Sequence, residues 1–269
     1  MGNLKITTII ENAVYSKKLK AEHGLSLLIE INNKKILFDT GQTSDFSGNA
    51  RLMNINLSDI DYCVISHGHY DHTGGLDEFI NQNEKSGIYI HKNAFNERYN
   101  FKKEYIGIPF RDKIPENRMH NIDEITMLTE QIFIMPAPEV YYSEDLHTKG
   151  FSVMENGFIT DDDFSDEQSL VIVRDKSLVI ISGCSHRGIT NIIKAAVDHF
   201  KLPVALVLGG FHLKNESDEK ITKISAILNS YIIKQIGISH CTGINAFHLL
   251  KNSVNADLFY NFTGNTICM

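Results

Sequence analysis

The stretch Ser66-His67-Gly68-His69-Tyr70-Asp71-His72-Thr73-Gly74-Gly75 sets three imidazoles and one carboxylate into six consecutive positions and closes on a glycine pair. It follows DYCVI, an apolar run that reads as a buried strand. A loop at a strand end holds its side chains in fixed directions, and imidazole nitrogen with carboxylate oxygen is a donor set that zinc or iron takes. His67 and His69 are one residue apart, so an extended loop turns both toward one ion and leaves Asp71 and His72 for a second. Two ions that share a water bring its pKa toward neutrality. Gly68, Gly74 and Gly75 are expected to let backbone and ligands crowd such a centre. A chance cluster in a surface turn explains the spacing less well, and structural zinc loops use cysteines in paired spacings.

The segments around this loop alternate strand and helix patterns. KITTIIEN reads as a strand, and LSLLIEINNKKILFDTG as two strands joined at a turn of Asn32, Asn33 and Lys34. LDEFINQNEKSG suggests a helix stopped by Gly87, and IYIHKNAF a further strand. From about 92 to 165 the chain turns polar and aromatic and holds four of its five prolines, which suggests an irregular insertion within a single domain spanning 1–269. SLVIVRDKSLVIISGCSHRGITNIIKAAVDHF then reads as a hairpin, a loop and a helix. PVALVLGGFHL supplies a strand, DEKITKISAILNSYIIK an amphipathic helix, and QIGISHCTG a strand that ends in a second His-bearing loop. The alternation predicts α/β layering, with sheets between helices.

A chain of 269 residues is long enough to bury a metal site, and 42% hydrophobic with 22% charged residues is an ordinary globular composition. A net charge of −7 argues against a nucleic-acid partner gripped by the overall field, although a local pocket for one phosphate stays open. No apolar run reaches the ~18 residues of a membrane span, and MGNLKITTIIENAVYSKK lacks a signal-peptide core, so a cytoplasmic protein without a membrane partner is expected. Gly2 completes a myristoylation pattern poorly, with Thr7 one place late. Cys63, Cys184, Cys241 and Cys268 form no CxxC pair and are expected to be reduced thiols.

With LLIE…ILFDTG upstream, the run HGHYDHTGGL resembles the metallo-β-lactamase superfamily. That resemblance implies a four-layer αβ/βα sandwich with a metal pair at one edge. It also implies that Asp39 of LFDTG lies behind the metal loop and hydrogen-bonds there. HGLS at 23–26, DEQSLVI at 166–172, SGCSHRGITNI at 182–192, LGGFHL at 208–213 and SHCTG at 239–243 are similar to the branch typified by the dihydropterin-ribofuranosyl-aminobenzene phosphate synthase. By the same resemblance His240 is the C-terminal ligand, and Cys184 stands where the bridging residue belongs. A thiolate there is chemically sound because a metal deprotonates it, with a buried inert thiol as the alternative.

The family's third-motif histidine has no counterpart in FSDEQS. His186, reaching back from two residues beyond Cys184, is the favoured replacement, with Glu167 or Asp166 as the oxygen alternatives. His212 ends an apolar strand and is read as a ligand, a general acid or a substrate contact; His23 is of the same kind. His91, His120, His147, His199 and His248 are read as surface or core residues. The loop-to-helix starts at Gly188-Ile189-Thr190 and at Thr242-Gly243 offer backbone N–H groups to a phosphate. Arg98, Arg111, Arg118 and Arg187 are further anion partners, most of them expected to be solvated.

These readings imply a metal-dependent hydrolase or synthase that uses metal-bound hydroxide or Lewis-acid chemistry on a small phosphorylated or pterin-like substrate. Two divalent ions are expected, zinc first, with iron or manganese as alternatives. The metal ligands would be His67, His69, Asp71, His72, Cys184, His186 and His240, with Asp71 and His212 catalytic. β-Lactam hydrolysis is not expected, because the missing histidine departs from that branch too. A non-catalytic metal-binding or ligand-sensing protein on the same fold is the alternative. A di-iron redox protein fits less well, since His69 stands where such members carry Glu and no flavin domain follows. A homo-oligomer stays open.

Overall fold

The computed structural model describes residues 3–269, so Gly2 and its acylation pattern lie outside the described residues. Contacts divide the chain into two compact units, one of Met1–Ile122, Gly150–Asp162 and Phe262–Met269, the other of Asp123–Lys149 and Asp163–Asn261.

In the first unit a seven-stranded sheet runs in the order Thr266–Cys268, Lys5–Ile10, Ser26–Ile31, Lys34–Phe38, Tyr62–Val64, Gly87–Tyr89 and Met119–His120. Its first four strands pair antiparallel, and from Lys34–Phe38 onward the pairing is parallel. Asn32 and Asn33 both take positive φ, at 50° and 61°, the backbone that a tight hairpin with right-handed twist needs, so the expected turn is present. Helices Asp45–Leu52 and Leu76–Gln82 bury Phe46, Ala50, Leu76 and Phe79 in a cluster with Ile9, Leu28, Leu37 and Ile65 of the sheet side. A three-stranded sheet of Phe158–Asp161, Ser152–Glu155 and Glu97–Tyr99 completes this unit.

Two expectations here are corrected. The helix after the His loop stops at Asn83, not Gly87, because the Asn83 side chain accepts the N–H groups of Lys85 and Ser86 and donates to the carbonyls of Leu57 and Ile60. Gly87 instead opens a strand, which covers only Gly87–Tyr89 before Lys92–Phe95 coils into a 3₁₀ turn.

The second unit's seven-stranded sheet runs Asp257–Tyr260, Ile233–Ile238, Val204–Gly209, Ser177–Ile181, Gln168–Arg174, Ile132–Pro136 and Thr126–Thr129. The hairpin Gln168–Ile181 and the helix Ile189–Phe200 form as expected. Helix Asp218–Leu228 ends sooner than its pattern suggested; Ile233 and Lys234 belong to the next strand, which pairs parallel with Val204–Gly209. Within 123–149 the strands Thr126–Thr129 and Ile132–Pro136 join this sheet. Ile189, Ile193, Ile221, Ile224 and Leu250 of the helices pack with Val171, Ile180, Val207 and Ile236 of the strands.

No helix among the described residues is long and apolar enough to cross a membrane. All four cysteines are free thiols, as expected.

Candidate functional site

The first unit's chemistry begins where strand Tyr62–Val64 ends. From Ser66 to His69 the chain is irregular, and Tyr70–Thr73 then forms one helical turn with His69 as its cap residue. The turn replaces the fully extended loop expected for Asp71 and His72. It brings the rings of His67 and His69 to 4.6 Å and those of His67 and His72 to 4.3 Å. One nitrogen each of His67 and His69 lies within 4.8 Å of the other, and the same holds for the ligand atoms of Asp71 and His72.

Gly68, Gly74 and Gly75 crowd backbone rather than ligands, which corrects the reason expected for them. A Cβ on Gly74 would lie 1.9 Å from the Gln42 carbonyl oxygen, one on Gly75 2.3 Å from that of Thr40, and one on Gly68 2.2 Å from that of Ala94.

Asp39, fully buried behind this loop, sets the proton positions. Its Oδ1 accepts the Ser66 N–H at 2.6 Å, and its Oδ2 accepts the Ser66 hydroxyl at 2.7 Å and His72 Nδ1–H at 2.6 Å. With its own proton spent on Asp39, Ser66 Oγ is left to accept from His67 Nδ1 at 2.9 Å. Nδ1 therefore carries a proton in both His67 and His72, which leaves Nε2 as the ring atom turned toward a ligand in each. Burial, then the neighbouring His72 and His69, pushes His67 well below the ordinary imidazole range and keeps it neutral, the form that binds metal.

The second unit holds ligand-type residues of its own. Cys184 and His240 are buried, with ligand atoms within 4.8 Å of each other. His186 donates Nδ1–H to the His147 carbonyl at 3.2 Å, which again leaves the lone pair on Nε2. Its ring stacks on Phe164 at 3.8 Å and 11°. Glu167 spends both oxygens on this loop, accepting the N–H groups of His186 at 2.6 Å and Arg187 at 2.9 Å. Burial pushes its carboxyl up to about 7 against those two backbone donors. Glu167 thus holds the loop that carries His186 through both of its oxygens. His212 is half-buried, its ring 4.4 Å from that of His186. Asp39, Ser185, His212 and His240 all sit at positive φ, at 59°, 57°, 50° and 55°, a left-handed backbone that favours glycine.

Two expectations about anion binding are corrected. The start of helix Ile189–Phe200 is occupied: Asp145 Oδ2 accepts the Thr190 N–H at 2.8 Å and its hydroxyl at 2.7 Å. Nor is Arg98 solvated. It is buried, with Nε 2.8 Å from Asp162 Oδ2 and Nη1 on the carbonyls of Asn93, Ala94 and Asn96. Arg118 and Arg187 also spend themselves on backbone carbonyls, while Arg111 is the exposed one.

Ser66 and the pair Asp145 and His147 were missed by sequence reasoning. Ser66 stands inside the quoted loop, and its hydroxyl beside an apolar strand end was the available signal. His147, read as packing, is buried with Nε2 3.0 Å from Asp145 and Nδ1 2.9 Å from Glu216.

The residues that offer metal-ligand atoms in such groups are His67, His69, Asp71, His72, Cys184, His186 and His240. Imidazoles, one carboxylate and one thiol are donor types that suit zinc or iron. Residues 19–143 match the family model of the metallo-beta-lactamase superfamily. Over 96% of this chain and 94% of the relative, the sequence is 33% identical to 7,8-dihydropterin-6-methyl-4-(beta-D-ribofuranosyl)-aminobenzene-5'-phosphate synthase of Methanocaldococcus jannaschii. An uncharacterized protein of the same organism is 34% identical over 97% of this chain and 99% of its own. Among solved structures, a metal-dependent hydrolase of the beta-lactamase superfamily covers 98% of both chains at 30% identity with a TM-score of 0.85. The metallo-beta-lactamase fold protein YhfI from Bacillus subtilis, at 13% identity and a TM-score of 0.64 over 100% of both chains, shares the fold. On this evidence the chain belongs to the metallo-β-lactamase superfamily.

Proposed function

We propose that this chain is a metal-dependent enzyme, a hydrolase or synthase, acting on a small phosphorylated or pterin-like substrate. The observation that carries the proposal is the proton network anchored on Asp39, which fixes Nδ1–H in His67 and His72 and so prepares both rings to give Nε2 to a cation. In this reading His67, His69, Asp71 and His72 of the first unit, and Cys184, His186 and His240 of the second, are metal ligands. Bound divalent ions would polarise a substrate oxygen and lower the pKa of a water.

The chain's own residues do the rest. Glu167 and the His147 carbonyl hold His186 in place. His212, partly exposed beside His186, takes up or delivers a substrate proton. The start of helix Ile244–Ser253, with Lys214 packed against Gly243, receives the phosphate. The likeness to the Methanocaldococcus synthase supports a pterin or ribosyl-aminobenzene phosphate, and the likeness to a metal-dependent hydrolase supports hydrolytic chemistry.

The test is metal content and turnover of protein purified without chelator. Two transition-metal ions per chain, loss of bound metal from both His69→Ala in the first unit and His240→Ala in the second, and turnover of phosphoester or pterin phosphate substrates would support the reading. A wild-type chain free of transition metal would sink it. A full complement of metal in either variant would sink the ligand role of the residue replaced.

A further inference from the structure

Asp71 is met from outside its own loop by the segment around His23, all within the first unit. His23 Nε2 lies 3.2 Å from Asp71 Oδ2, and His23 Nδ1 lies 3.2 Å from Asn12 Nδ2. The Asn12 amide is oriented in turn, because its Oδ1 accepts the Gly24 N–H at 3.2 Å. An amide nitrogen only donates, so His23 Nδ1 is the acceptor, and the single proton of the neutral ring sits on Nε2. That proton faces a carboxylate oxygen, which only accepts. The backbone follows the same line: Leu25 N–H donates to the Asp71 carbonyl at 3.3 Å. A Cβ on Gly24 would lie 2.6 Å from that carbonyl oxygen, at a φ of 155°. No side chain fits between the two segments there.

We infer that His23 is a positioning residue for Asp71, its tautomer set by Asn12 and its Nε2–H fixing the rotation of the carboxylate before a cation arrives. The inference rests on the reading that Asp71 takes a metal ion and goes beyond it by assigning the group that orients that ligand. Removing a hydrogen-bond partner from a ligand of this kind weakens metal binding by roughly 10- to 100-fold. His23 is 49% exposed in its side chain while Asp71 is 8% exposed, so the lower half of that range applies.

The experiment is a cobalt(II) titration of the full chain against a competing chelator, read by visible absorption, together with long-range ¹⁵N–¹H NMR of the zinc-loaded protein. His23→Ala should weaken the ion whose absorption bands Asp71→Asn removes, by roughly tenfold. His23→Gln, which keeps an N–H donor, should restore most of the loss. The NMR spectrum should show His23 protonated at Nε2 and bare at Nδ1, and Asn12→Asp should place a proton on Nδ1. Wild-type cobalt affinity in His23→Ala, with that ion lost in Asp71→Asn, overturns the positioning role and leaves the metal reading standing. A wild-type spectrum with Nδ1 protonated and Nε2 bare overturns it as well, whatever the stability of the variants. If Asp71→Asn binds cobalt as the wild type does, the metal reading falls and this inference with it.

Discussion

Asp39→Asn keeps the side-chain volume and removes the charge from the centre of the proton network. Asp39 accepts three donors, from Ser66 N, Ser66 Oγ and His72 Nδ1, at 2.6, 2.7 and 2.6 Å. An amide has a single acceptor oxygen. If Ser66 N–H keeps it, the NH₂ group faces Ser66 Oγ and His72 Nδ1, and both must reverse. His72 would then carry its proton on Nε2, the atom it needs for a metal. A 10- to 100-fold loss of zinc affinity follows, about 1.4–2.8 kcal/mol. The metal-free fold should also weaken, because three charge-assisted bonds of about 1.5–3 kcal/mol become neutral ones of about 1 kcal/mol; a loss of about 1.5–6 kcal/mol is expected in total. Zinc competition with a chromophoric chelator measures the first quantity, and denaturant unfolding of chelator-treated protein the second. A folded Asp39→Asn chain with wild-type zinc affinity would refute the tautomer argument.

Three further outcomes are expected. Asp162→Asn leaves the buried Arg98 guanidinium without its carboxylate and should cost about 3–5 kcal/mol, a drop in Tm of roughly 6–20 °C by thermal melting. Gly74→Ala drives a Cβ to 1.9 Å from the Gln42 carbonyl and should yield misfolded or metal-free protein, whereas Gly48→Ala, in a helix with nothing within 4 Å, should raise stability by about 0.5–1 kcal/mol in the same melts. Glu216→Gln tests pH dependence. The hydrogen bond from His147 holds Glu216 down to about 2, so its contribution is present above the ordinary 4.5 and is lost as pH falls through about 2. Burial opposes a proton on His147, but the bonds to Asp145 and Glu216 raise it above 6.5, so its contribution is present below 6.5 and lost as pH rises through the raised value. The stability gap between wild type and variant should therefore be widest between pH 4.5 and 6.5 and should narrow above it. A gap that is flat from pH 5 to 9 in denaturant unfolding would count against the His147–Glu216 pairing.

Much of the fold was legible because period and punctuation agree locally. Asn32-Asn33 between two apolar runs, and the hairpin Gln168–Ile181, are set by residues next to them in the chain. Element ends were less legible where a distant partner decides them. Asn83 stops its helix through the carbonyls of Leu57 and Ile60, which no reading of LDEFINQNEKSG could supply. The His loop stood out because four potential ligands, three histidines and one aspartate, lie in six positions, and Asp39 was found through resemblance. Asp145 was not, since its work at Thr190 spans 45 positions. Arg98 misled for the same reason: arginine is ordinarily exposed, and only the fold brings Asp162 and three carbonyls around it.

The left-handed backbone at His212 has a consequence for directed evolution. A non-glycine residue there forgoes about 1–2 kcal/mol relative to one without a Cβ. A library screened for heat tolerance alone would drift toward glycine at that position, while one screened for turnover would be held at histidine. The sequence variants recovered under the two pressures would thus diverge at 212, and their divergence would mark the residue as kept for its ring and not for the fold.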